Sequence, residues 1–131
     1  MSASEAEALG STLKTVISEE LRTTGNIVVE DGKVTRIFSK NYGQDDSEET
    51  SAFGAVDGSG NPSDKGQITL GGRKILSSAA YTYGYQAAVS IKYEESIVCY
   101  HTKLTLYDRS GDMVKEYNFD VVPVVKPTVN G

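Results

Sequence analysis

After Gly25 the apolar residues of this chain change their period from helical to alternating, and that switch restricts the fold to one helix followed by strands. Upstream of the switch, Ser4 and Glu7 form a capping box. Ala6, Leu9, Leu13, Val16, Ile17 and Leu21 recur at helical spacing, so a helix with one apolar stripe is predicted over residues 3–23. Glu19 and Glu20 oppose the macrodipole at its C-terminal end, while Gly25 offers a left-handed stop.

Downstream, Asp31-Gly32 suits the two positive φ angles of a type I′ turn and predicts a β-hairpin over residues 26–42. Residues 43–66 lose periodicity and gather Asp45, Asp46, Glu48, Glu49, Asp57 and Asp64 among Gly and Ser, around one apolar island, Ala52 to Val56. This reads as a long acidic loop of the functional or disordered kind. Strands return over residues 67–125. Gly71-Gly72 turns a short strand, Gln67 to Leu70, into Arg73 to Ser77, and two longer strands follow, Tyr81 to Tyr93 and Ser96 to Asp108. In the second of these, Val98, Tyr100, Thr102, Leu104 and Leu106 share the face expected in the core, and Cys99, His101, Lys103 and Thr105 share the other. Asp108-Arg109-Ser110-Gly111 turns the chain into a final strand in which Tyr117, Phe119 and Val121 alternate with acids and amides. Pro123 and Pro127 each remove a ladder donor, so residues 126–131 are expected to form a mobile tail.

These elements predict a single, mainly β domain over residues 1–131, an antiparallel β-sandwich or jelly roll with one N-terminal amphipathic helix. The alternative is an α+β roll in which a curled antiparallel sheet wraps the helix.

Composition narrows the function. The net charge is −5 and the thirteen Lys and Arg are scattered, so the overall field repels a polyphosphate and no nucleic-acid partner is expected. No stretch reaches the roughly 20 apolar residues of a membrane span, and residues 1–7 lack the basic and apolar regions of a signal peptide. A chain made and kept in the cytosol, incorporated in a particle or not, is the expectation. One cysteine and one histidine exclude an internal disulfide and the usual zinc clusters, so neither a metal nor another cofactor is expected.

Cys99 and His101 are the only residues resembling a thiol nucleophile and its base. On a regular strand, side chains at i and i+2 stand about 6–7 Å apart, beyond hydrogen-bond reach. Asp57-Gly58-Ser59-Gly60-Asn61 and Asp108-Arg109-Ser110-Gly111-Asp112 place oxygens at the first positions of a calcium-loop pattern, but Pro62 and Met113 stand where that loop needs glycine, so ordinary turns are expected. Tyr81, Tyr83 and Tyr85 would share one face of a strand, where they could stack on sugars, meet another subunit, or close an aromatic cluster inside the domain. Phe53, on the apolar island of the acidic loop, is the fourth candidate contact residue.

The leading expectation is a non-enzymatic structural or interaction protein acting by self-assembly into a homo-oligomer or by binding a protein partner, with virion, tail or appendage subunits as the architectural analogy. The second is a β module that binds a carbohydrate or small apolar ligand on the tyrosine row. An enzyme ranks third, because no nucleophile–base pair or metal set is evident.

Overall fold

A computed structural model of the chain describes residues 3–39 and 50–131. The acidic stretch Asp45 to Glu49, the last residues of the expected first hairpin, and the side chain of the expected cap Ser4 lie outside the described residues.

The chain is mainly β, with one N-terminal helix and two mostly antiparallel sheets, an arrangement compatible with a sandwich. Helix α1 spans Ala3–Thr23. Its apolar stripe buries Ala6, Leu9, Leu13, Ile17 and Leu21, the last three completely, and each of the leucines and the isoleucine contributes about 2 kcal/mol on leaving water. Glu20 lies on the same buried face, where its carboxylate accepts a hydrogen bond from the Ser39 hydroxyl and so joins the end of the helix to the sheet. Gly25 does not supply the left-handed stop: it has no positive φ, and the helix ends with Thr24 Oγ1 donating to the Asn26 carbonyl at 3.0 Å.

Strands β1 (Asn26–Glu30) and β2 (Lys33–Phe38) pair around Asp31 and Gly32, whose φ angles of 53° and 79° are those of a type I′ turn. Residues 50–66 are not the loop expected for them. They form β3 (Thr50–Ser51), β4 (Phe53–Val56) and β5 (Pro62–Ser63), because the apolar island pairs with a partner further along, β6 (Gln67–Leu70), in the register Phe53↔Leu70 to Val56↔Gln67. A short β7 (Arg73–Lys74) turns back on β6 across Gly71-Gly72.

The three longest strands, β8 (Gln86–Glu94), β9 (Cys99–Tyr107) and β10 (Met113–Val121), form an antiparallel meander. As expected from the alternation, Tyr100, Thr102, Leu104 and Leu106 face the core, whereas Val98 sits in the β8–β9 turn with φ 50°. The C-terminal residues are docked: β11 (Thr128–Asn130) pairs in parallel with β1, Thr128 donates to the Gly25 carbonyl at 2.9 Å, and Pro123 and Pro127 are buried. The prolines leave the ladder where it needs no donor, and the chain then rejoins a free sheet edge.

The larger sheet runs β10-β9-β8-β2-β1-β11, with β3 beside β2, and the smaller runs β5-β4-β6-β7. Helix α1 packs on β9 and β10. The smaller sheet meets the meander at Gly66 and Ala87, which exchange two backbone hydrogen bonds of 2.9 and 2.7 Å. Among the described residues no helix is long and apolar enough to cross a membrane.

Candidate binding surfaces

The expected tyrosine row does not form. Residues Ser78–Gly84 make a 3-10 turn ahead of β8, closed by Ala80 N–H donating to Ser77 O and Thr82 Oγ1 donating to Ala79 O. Tyr83 (φ 74°) and Gly84 (φ 79°) then turn left-handed in succession, which no strand accommodates. Tyr81 points into the core, where its hydroxyl accepts the Ile68 N–H at 3.0 Å and burial pushes its pKa up. Tyr83 is 46% exposed and Tyr85 is buried. Both line a groove of about 260 Å³ between the 3-10 turn and the first half of α1, whose other walls include Leu9, Thr12 and Leu76. Phe53 lies elsewhere, half-buried in β4 against the core.

A second feature lies on the outer face of the meander, where Glu94 of β8 is opposite Cys99 of β9, and His101 of β9 is opposite Asp120 of β10. His101 is held from both sides: Nδ1 is 2.7 Å from Asp120 Oδ1, and Nε2 is 2.8 Å from Glu94 Oε1. These two hydrogen bonds, that to Asp120 first, raise its pKa. Cys99 is buried, and burial, followed by the charges of Asp120 and Glu94, pushes its thiol up, the opposite of what activates a nucleophile. An open groove of about 480 Å³ runs past His101 and Asp120 to Lys33, Lys92 and Lys103.

The third feature was not singled out from the sequence. Of the eight large hydrophobic side chains exposed in the described chain, six fall near its end: Met113, Val114, Val122, Val124, Val125 and Val129. A seventh, Ile97, occupies the β8–β9 turn, and the pairing Val121↔Tyr100 puts that turn at the same end of the sheet as Val122 and Val124. The alternation in β10 hid this signal, because Val122, Val124 and Val125 follow the strand instead of lying within it.

Both calcium-like segments are closed turns. In each, the first aspartate's Oδ1 accepts two backbone N–H groups, Ser59 and Asn61 at Asp57, Ser110 and Asp112 at Asp108. Comparison of the chain with protein-family profiles, curated proteins and solved structures finds no match in any of the three.

Proposed function

We propose that this is a non-enzymatic interaction protein that associates with a further copy of itself through the sheet end carrying Ile97, Val122, Val124 and Val125. The observation that carries this reading is the concentration of exposed aliphatic side chains there. Each valine or isoleucine buried in an interface contributes about 2 kcal/mol, so a self-complementary patch of four from each copy has the driving force for a dimer. Strand-to-strand growth along β10 is disfavoured, because a register shift between Met113 and Lys115 and the inward-facing Lys115 blunt that edge. Association through side chains at the sheet end meets no such obstacle. The net charge of −5 limits non-specific clustering. In this reading the chain is a subunit of a closed assembly, of the virion, tail or appendage kind.

Light scattering after size exclusion, at two protein concentrations, tests it. A defined oligomer is expected, converted to monomer by Val122→Lys with Val124→Lys, changes that fall on exposed side chains and spare the core. A wild-type monomer at both concentrations would refute it.

A second reading rests on the groove beside Tyr83: an exposed aromatic in a left-handed conformation at a concave, largely apolar site suits a small flat ligand such as a sugar ring. The chain has no tryptophan but eight tyrosines, so the site is read as the part of a saccharide-induced change in tyrosine fluorescence that is lost in Tyr83→Ala.

A further inference from the structure

One cysteine and one histidine are too few for the common zinc clusters, but the register of the meander brings carboxylates from two neighbouring strands to the same place. The sulfur of Cys99, a ring nitrogen of His101 and a carboxylate oxygen of Asp120 all lie within 4.8 Å of one another. We propose that Cys99, His101 and Asp120 bind one divalent ion of the zinc class, with the Glu94 carboxylate holding the His101 ring in place.

The donor set decides the kind of ion. A thiolate and an imidazole reject magnesium and calcium, which take oxygen, and one sulfur, one nitrogen and one carboxylate oxygen suit tetrahedral zinc. With metal–ligand bonds of about 2.0–2.3 Å, tetrahedral ligand atoms stand about 3.3–3.8 Å apart. The three atoms, within 4.8 Å of one another, stand near those separations, and the proposed site asks only for side-chain adjustments of that size.

The imidazole is already arranged for the role. Nδ1 faces Asp120, so an ion between that nitrogen and the carboxylate replaces one hydrogen bond with two metal bonds. Nε2 keeps its hydrogen and donates it to Glu94 at 2.8 Å, the carboxylate contact that fixes the ring of a metal-bound histidine and strengthens its lone pair. Binding releases the thiol proton of Cys99 to solvent, together with any second proton on His101, and no other co-reactant is required. Asp120 and His101 line the open groove, which gives an ion its path in and leaves a fourth position to water.

The test uses the full chain, reduced and stripped with a chelator. Calorimetric titration with zinc is expected to show one site. Cobalt in its place is expected to give a thiolate-to-metal charge-transfer band. Cys99→Ser should abolish the band and weaken zinc at least tenfold, Asp120→Asn should weaken zinc comparably, and Glu94→Gln, which keeps all three ligands, should weaken it about tenfold. Should Cys99→Ser fail to fold, the wild-type cobalt spectrum and the exposed Glu94→Gln variant still decide. No saturable zinc uptake at micromolar concentration, or cobalt binding without the charge-transfer band, overturns the proposal.

Discussion

The Tyr117 ring of β10 lies directly on Gly10 of α1, so closely that a methyl group on Gly10 would fall inside the ring and its hydroxyl. A glycine in mid-helix ordinarily costs about 1 kcal/mol relative to alanine. Here it lets the helix approach the sheet, with Lys115 Nζ 5.6 Å from the centre of the Tyr117 ring and the Tyr117 hydroxyl buried. Overpacking costs about 1–3 kcal/mol, which exceeds the propensity gain, so Gly10→Ala is expected to lower the stability measured by urea unfolding by about 1 kcal/mol. In a Tyr117→Val background the same change should be stabilising. A single mutant more stable than wild type would show that the ring moves aside freely.

Gly66 joins the two sheets by exchanging hydrogen bonds with Ala87 while its Cα faces the Val56 carbonyl oxygen, which a Cβ would overlap. Gly66→Ala therefore forces residue 66 away from β4 and out of its hydrogen-bonded pair with Ala87. The loss of two backbone bonds at about 1 kcal/mol each, with the accompanying strain, gives a destabilisation of about 3 kcal/mol. Hydrogen exchange at the Ala87 amide reads the separation directly: protection there should fall before protection within β9 does.

What could be read from the sequence was what neighbouring residues determine. The helix stripe, the Asp31-Gly32 and Gly71-Gly72 turns and the alternation of β9 are local signals, and each element follows from them. Phe53 to Val56 looked like part of a loop because its partner, β6, is remote, and residues 128–130 looked like a free tail because parallel pairing with β1 spans the whole chain. Gly10 and Gly66 carry no mark of their function without the side chain or carbonyl they face. The Cys99 cluster was hidden for the same reason: only the registers of β8 and β10 bring Glu94 and Asp120 beside Cys99 and His101, whose side chains lie closer together than the spacing along a regular strand suggests.

Asp57 and Asp108 close their turns with the same four hydrogen bonds, two to the carboxylate and two in the backbone. Removing an exposed carboxylate that caps two amides costs about 1 kcal/mol, as at a helix N-cap. Asp57→Ala and Asp108→Ala should each lower stability by that amount and add in the double mutant, since they share no partner. The carboxylates are engaged by the backbone, so millimolar calcium should leave the melting temperature unchanged. A calcium-dependent rise abolished by either substitution would show that these turns are ion sites.

Tyr100 is 0% exposed, its ring is tilted against that of Tyr93 with centroids 5.1 Å apart, and its hydroxyl has no hydrogen-bond partner among the described residues. Burial, and to a lesser degree Tyr93, pushes its pKa well above the ordinary tyrosine value. The unfolded chain ionises this phenol near pH 10, whereas the folded chain must keep it neutral. The stability it supports is therefore complete below about pH 10 and lost as pH rises toward the folded-state value. Tyr93, raised by burial and then by Glu95, titrates in the same direction. Tyr100→Phe removes both the unpaired hydroxyl and one of these titrations. At pH 7 the variant should be as stable as wild type or more stable by up to about 1 kcal/mol, because an orphaned buried hydroxyl contributes little. Between pH 10 and 12 its stability should fall less steeply, and Tyr93→Phe on top should flatten the decline further. Denaturant unfolding across that range measures both slopes, and an unchanged slope in Tyr100→Phe would mean that this phenol reaches solvent in the folded protein.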